Sequence, residues 1–257
     1  MSSYAIYPSL HGRVVFITGG GSGIGAGLVE AFCAQGARVT FVDINEDASN
    51  ALVAEMKERL GSDHAPRFIR CDLRDVPALQ DAIAQVRQTD GPIGALMNNA
   101  ADDMRHDPDG VTVDYWDDRI AVNLRHQFFA AQAVRPHMQS LSGGSIVNFG
   151  SVSWMMGQGN MPCYTTAKSA IQGLTRTLAR DFGPDNIRVT CIVPGWIMTQ
   201  RQIDLWVKPG DWERIDTMQC LPWKVYPEHV ARMALFLAAD DSERCTAHDY
   251  FVDAGIV

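Results

Sequence analysis

Thr18-Gly19-Gly20-Gly21-Ser22-Gly23-Ile24-Gly25 decides how this sequence is read. An apolar, β-branched run at residues 13–18 leads into it, and a stretch of helical periodicity at residues 24–35 follows. Glycines let the backbone turn tightly and come close to a pyrophosphate. Amide groups at the start of the helix then face the negative charge. Glycine-rich runs also make ordinary turns, but one wedged between a strand and a helix points to a dinucleotide. Gly19, Ser22, Gly23, Ile24 and Gly25 are therefore candidate cofactor contacts.

The next strand, residues 38–42, runs into Asp43, which lies 18 positions beyond Gly25. An acidic residue about 20 positions past such a loop accepts hydrogen bonds from a ribose diol. The same carboxylate repels a 2′-phosphate, so the expected cofactor is NAD and not NADP. The competing reading has Asp43 capping the helix that begins near Asp47. Further strands are predicted at residues 67–70, 95–98, 145–149, 188–193 and 250–252. They alternate with helices at 47–60, 76–89, 115–138, 163–182 and 229–238. Nearly all-apolar strands in such alternation make a parallel sheet covered on both faces. The expected fold is α/β: a single Rossmann-type domain over residues 1–257, a doubly wound parallel sheet with helices on both faces. A Trp- and Pro-rich stretch at 196–224 interrupts the alternation. It is expected to cover the carboxyl ends of the strands, where open sheets of this kind bind ligands.

Hydrophobic residues make up 46% of the chain and charged residues 20%, which excludes the disordered and fibrous classes. A net charge of -8 lacks the basic stripe that nucleic acid or an anionic membrane requires. The cysteines, at 33, 71, 163, 191, 220 and 245, form no C-x-x-C pair and read as reduced side chains; no metal is expected. Residues 1–12 lack the apolar core of a signal peptide, and no apolar run approaches the roughly 20 residues that span a bilayer. The expectation is a cytoplasmic protein acting on a small molecule.

Tyr164-Thr165-Thr166-Ala167-Lys168 puts a phenol and an ammonium four residues apart, on one face of a helix. An isolated tyrosine, with a pKa of about 10, is a poor base at neutral pH. A neighbouring ammonium and a positive nicotinamide ring both favour the phenolate. Chance produces this pattern in many helices, so its surroundings decide its meaning.

Those surroundings carry a family resemblance. The spacing Thr-Gly-x-x-x-Gly-x-Gly resembles that of the short-chain dehydrogenase/reductase family. Cys71-Asp72-Leu73 is similar to its adenine-contacting aspartate segment, and Asn98-Asn99-Ala100-Ala101 to its Asn-Asn-Ala-Gly element, with Ala101 where glycine is usual. Pro194-Gly195, with Thr199 four positions on, is similar to the loop that covers the nicotinamide. The resemblance spans essentially the whole chain. It implies cofactor contacts from Asp43, Ile44, Asp72, Leu73, Asn99, Ala100, Tyr164, Lys168, Pro194, Gly195, Ile197 and Thr199. The implied catalytic set is Asn123, Ser151, Tyr164 and Lys168. Tyr164 would act as base, and Ser151, 13 residues before it, would hold the reacting oxygen. Lys168 would tune Tyr164 and hold the ribose, while Asn123 supports a water-linked proton path. Pairing of the two long helices into a homotetramer is implied as well.

The variable lining offers Asp102, Arg105, Ser153, Trp154, Gln158, Trp196 and Arg201, a mix of polar groups and indole faces suited to a polyhydroxylated sugar. Stretches outside the catalytic pattern are similar to the bacterial D-xylose 1-dehydrogenase group of the family. Among them are Asn123-Leu124-Arg125-His126, Ser151-Val152-Ser153-Trp154 and Gln219-Cys220-Leu221. That resemblance implies oxidation of C1 of an aldopyranose to the lactone with NAD. D-xylose is the first candidate, and L-arabinose, D-galactose and L-fucose stay open. The rival readings are an NADPH-dependent ketone or 3-oxoacyl reductase, a dehydrogenase of another sugar, sugar acid or secondary alcohol, and a non-catalytic dinucleotide-binding regulator.

Overall fold

Alternating burial along the first strand shows how the sheet is covered. Val15 and Ile17 enter one apolar core, and Val14 and Phe16 enter another on the opposite side. A strand's side chains alternate between faces, so a strand buried throughout needs a layer of helices on each. In the computed structural model, which describes residues 5–257, those layers are present. The expectation that residues 1–12 form no signal peptide includes residues 1–4, which lie outside the described residues.

The strands are β1 (Val14–Thr18), β2 (Arg38–Asp43), β3 (Arg67–Arg70), β4 (Ala95–Asn98), β5 (Gly144–Phe149), β6 (Ile187–Pro194) and β7 (Asp249–Val252). They form one parallel sheet in the order β3-β2-β1-β4-β5-β6-β7. Helices α1 (Gly23–Ala34), α2 (Glu46–Leu60) and α9 (Pro227–Ala238) close one face through Leu28, Phe32, Met56 and Leu235. Helices α3 (Val76–Thr89), α5 (His126–Ser140) and α6 (Pro162–Phe182) close the other through Leu79, Val134 and Leu178. This is the doubly wound arrangement expected. Strand order reverses between β1 and β4, which opens a crevice at their carboxyl ends.

Two segments differ from the sequence reading. The helix predicted over 115–138 is α4 (Val113–Ile120), a π turn (Ala121–Arg125) and then α5. The 196–224 stretch holds two short helices, α7 (Gln200–Trp206) and α8 (Asp211–Met218), tied back to the sheet by the parallel bridge Ile197–Val225. Among the described residues, no helix is long and apolar enough to cross a membrane.

Candidate active site

The glycine loop leaves no room for side chains. A Cβ on Gly25 would lie 1.8 Å from the Gly19 carbonyl oxygen, and one on Gly20 would lie 2.5 Å from Phe41. Gly19 and Gly23 have φ of +66° and +56°, a region that disfavours L side chains. Ser22 does not cap α1 with its side chain, so the first amides of that helix stay open to an anion. Asn99 Nδ2 donates to the Thr18 and Gly19 carbonyls (3.1 and 2.9 Å), and the Ala100 amide donates to Thr18 Oγ1 (3.1 Å). These bonds stitch β1 to β4 across the crevice. A Cβ on Gly23 would meet Thr199 at 3.3 Å, so the loop after β6 closes on the cradle. Gly195 is required there because a Cβ would stand 2.7 Å from the Asp253 Cα.

Asp43 ends β2 at the rim of the cradle. Its carboxylate accepts from the Gly21 amide and the Asn45 amide, each at 2.9 Å. The cap of α2 is Asn45, whose side chain accepts from the Ala48 amide at 3.1 Å, so the helix-cap reading of Asp43 is not what the structure shows. Ile44 beside it is 60% exposed, free to cover a flat ring. Asp72 is engaged by the forked Arg74 guanidinium, which also reaches Asp118. That pairing holds the Asp72 carboxyl below the usual carboxylate range. Leu73 is buried next to it. A cradle closed to side chains, uncapped helix amides and a carboxylate at the rim together fit a nicotinamide dinucleotide.

Ser151 follows β5 and Tyr164 stands in the first turn of α6, whose N-terminal Pro162 needs no amide partner. The Ser151 hydroxyl, which accepts from the Ser153 amide at 3.2 Å, lies on the side of the Tyr164 phenol and favours its charged form. Burial, and then the Asp103 carboxylate, outweigh that effect and push the phenol well above its usual range. The expected depression of the phenol is therefore not achieved by the protein's own groups. Lys168 is 2% exposed, its Nζ 5.7 Å from the Tyr164 ring centre and donating to the Phe149 carbonyl at 2.7 Å. Burial pushes its pKa down to about 8.

This ammonium carries a stability cost whose sign can be tested. Between about 8 and the usual lysine value of 10.5, the unfolded chain binds the proton and the folded chain does not. Stability contributed by this site therefore rises with pH across that window. Lys168→Met is expected to raise the melting temperature at pH 7 by about 2 °C or more, with the gain shrinking by pH 10. Calorimetry at the two pH values checks it, and a lower melting temperature at pH 7 would refute it.

Asn123 occupies the π turn, and its contacts explain that turn. Its Nδ2 donates to the Arg119 carbonyl (3.0 Å), the acceptor that its own backbone amide would use in an α-helix. The ladder widens instead, with the His126 amide reaching back five residues to Ala121. The same side chain bonds the Asp102 amide (2.9 Å) and carbonyl (3.2 Å), fixing the chain that leaves β4.

The substrate candidates divide into two groups. Asp102 pairs with Arg119 and Arg201, and Arg105 lies 4.7 Å over the Trp206 ring. Arg201 also reaches Asp103 at 3.5 Å, so the loop after β4 and α7 are tied together by charge. Ser153 Oγ and Trp196 Nε1 are buried without a hydrogen-bond partner. Trp154 and Gln158 instead line a groove with Thr165, Thr166, Ser169 and Ala170, and neither Tyr164 nor Lys168 belongs to that lining. Asp103, not singled out from sequence, faces the catalytic pair electrostatically. Nothing in the sequence separates it from Asp102; only the partners in space do.

Residues 19–257 match a family model described as enoyl-(acyl carrier protein) reductase. The chain is 50% identical to a D-xylose 1-dehydrogenase from Caulobacter vibrioides, covering 98% of this chain and 99% of that protein. It is 46% identical to a "Probable galactose dehydrogenase" from Rhizobium meliloti, covering 97% of each. Among solved structures it is similar to a short-chain type dehydrogenase/reductase from Mycobacterium ulcerans. The TM-score is 0.90 at 27% identity, over 96% of this chain and 90% of that one. It is equally similar to an L-sorbose reductase from Gluconobacter frateurii complexed with NADPH and L-sorbose. There the TM-score is 0.90 at 26% identity, over 98% and 99%.

Proposed function

As the chain belongs to the short-chain dehydrogenase/reductase family, an oxidoreductase family, we propose that it oxidises C1 of an aldopyranose to the aldonolactone with NAD, D-xylose being the first candidate. The observation that carries an alcohol oxidation is the Lys168 ammonium, buried with its Nζ 5.7 Å from the Tyr164 ring centre, where Tyr164 opens α6 and Ser151 follows β5. The names of the two sugar-oxidising relatives support an aldose over other alcohols.

In this reading the Ser151 hydroxyl and the Tyr164 phenol hold the substrate oxygen, and Tyr164 takes its proton. When bound, oxidised nicotinamide accepts the hydride and adds the positive charge that the phenol lacks from the protein alone. Lys168 keeps a charge close to Tyr164 and would hold the ribose. Asn123 would steady the water through which the proton leaves. Formation of reduced cofactor across a panel of pentoses and hexoses, followed by chemical analysis of the product, tests the proposal. An aldonolactone or aldonic acid is expected; a ketose or an acyclic ketone would rule out oxidation at C1.

The cofactor choice rests on Asp43. Its carboxylate at the rim would accept from a ribose 2′-hydroxyl and repel a 2′-phosphate, which favours NAD. Asp43→Ala is expected to weaken NAD by about 10- to 100-fold, the worth of a hydrogen bond to a charged group, and to narrow the gap to NADP. The NADPH in the sorbose reductase complex favours the other cofactor as a second reading. A wild-type kcat/KM higher for NADP would decide for it.

We further read residues 1–257 as one cofactor-binding and catalytic unit in a cytoplasmic homotetramer, with 196–224 covering the substrate. Phe251, Trp223 and Leu221 are exposed apolar side chains that assembly would cover. Light scattering at micromolar concentration is expected to give four times the chain mass; a monomer mass would contradict it.

A further inference from the structure

We propose that His106 is a positioning residue for Tyr164, its imidazole capping the start of α6 and fixing the turn that carries the proton acceptor; the inference rests on the reading of Tyr164 as the base. Helix α6 begins without help from its own sequence. Met161 stands at the N-cap position, and its side chain makes no capping bond. Pro162, the first helical residue, has no N–H to offer. The Cys163 amide is thus the first donor of the helix, and no carbonyl within the helix can serve it. The chain arrives there through a segment with glycines at 157 and 159 and left-handed backbone at Gly157 and Asn160. Helix ends fray first, and Tyr164 lies one residue beyond this unaided amide.

His106 fastens the entry to α6 on both sides. Its backbone amide donates to the Asn160 carbonyl at 2.8 Å, just before the helix. Its ring Nε2 accepts from the Cys163 amide at 3.4 Å, just inside it. The other side of the ring is held as well. Nδ1 lies 3.0 Å from the Met104 carbonyl oxygen and 3.2 Å from the Tyr115 hydroxyl, and the Tyr115 ring meets the imidazole edge-on at 5.1 Å. An amide donor at Nε2 and a carbonyl acceptor at Nδ1 assign the neutral tautomer with its proton on Nδ1. The loop that presents His106 is anchored in turn. Asn123 bonds the Asp102 amide and carbonyl at 2.9 and 3.2 Å, and Gln202 of α7 donates to Asp103 at 2.6 Å. The residue next to Tyr164 is therefore bonded to a loop that both the π turn and the covering segment hold still. Proton transfer needs the phenol in register with the substrate oxygen, and a misplacement of about 1 Å can cost about 100-fold in rate.

The test compares wild type with two variants, on the aldose that wild type oxidises best. His106→Phe keeps a ring against Tyr115 and loses both nitrogens; His106→Gln keeps an acceptor, Oε1, that can take the place of Nε2. In His106→Phe, kcat is expected to fall by about 10- to 100-fold, while the Kd for NAD from a fluorescence titration stays unchanged. Hydrogen–deuterium exchange over residues 161–166 is expected to accelerate in the same variant. His106→Gln should recover most of the turnover and the slow exchange. Wild-type turnover in His106→Phe overturns the inference. So does a His106→Gln as slow as His106→Phe, because the ring's shape and not its acceptor would then matter. Lost turnover with unchanged exchange overturns it too, since His106 would be acting by a route other than the helix. Should His106→Phe fail to fold, exchange decides: slow exchange of this turn in both wild type and His106→Gln supports the cap, and fast exchange in wild type overturns it. Failure of the reading beneath is seen separately, as near-normal turnover in Tyr164→Phe whatever the His106 variants do.

Discussion

Tyr164→Phe is expected to lower kcat by roughly 10²–10⁴, the usual yield of a positioned acid–base group, while the fold and the affinity for the dinucleotide stay near wild type. The ring packs where it did, and only the phenolic hydroxyl is lost. Because burial and Asp103 hold the phenol above its usual range, wild-type turnover is expected to climb with pH as the phenol passes into its anionic form, at a pH that the bound cofactor's positive charge lowers. The variant should lose that climb. Near-normal turnover in Tyr164→Phe would mean that another group accepts the proton. A fluorescence titration of cofactor binding, run beside the kinetics, separates lost chemistry from lost binding.

Gly25→Ala is the second large effect. The added methyl would sit 1.8 Å from the Gly19 carbonyl oxygen and 2.8 Å from Asn99 Nδ2, so the loop must open or the Asn99 stitch must break. Overpacking of this kind costs about 1–3 kcal/mol, which corresponds to a roughly 5- to 150-fold weaker dinucleotide. Thermal unfolding should register part of the strain. Cofactor affinity equal to wild type would show that the loop tolerates a side chain and that its glycines serve only the turn.

Much of this molecule was legible in its sequence, for identifiable reasons. Strands such as Val14–Thr18 are buried on both faces, so their apolar runs could hardly be anything but parallel strands. The glycine cradle was legible because its steric demand admits one residue type. Ser151, Tyr164 and Lys168 were found by spacing, and the structure brings them together at the end of β5 and the start of α6. What escaped depended on partners far away in the chain. Asp102 and Asp103 are neighbours of one type that share Arg201, and distant partners such as Arg119 for the first and Gln202 for the second distinguish them. Arg74, which engages Asp72, likewise reaches Asp118, 44 positions further along the chain. The phenol's raised pKa was missed because burial, which no spacing reveals, outweighs the nearby charge.

The π turn at Ala121–Arg125 makes α4 and α5 two halves of one rod that are out of phase. Each residue of an α-helix advances it by about 100°, so one extra residue swings everything before it around the axis by about that angle. Val134 and Met138 of α5 can then face the sheet core while Arg119 of α4 faces Asp102, an alignment that an unbroken helix of this length would not provide. Removing one residue from this segment would restore a regular helix and leave the core half untouched. It would also turn Arg119 away from the loop after β4. The insertion therefore separates the helix's duty to the core from its duty to the cleft, and lets each half vary without moving the other.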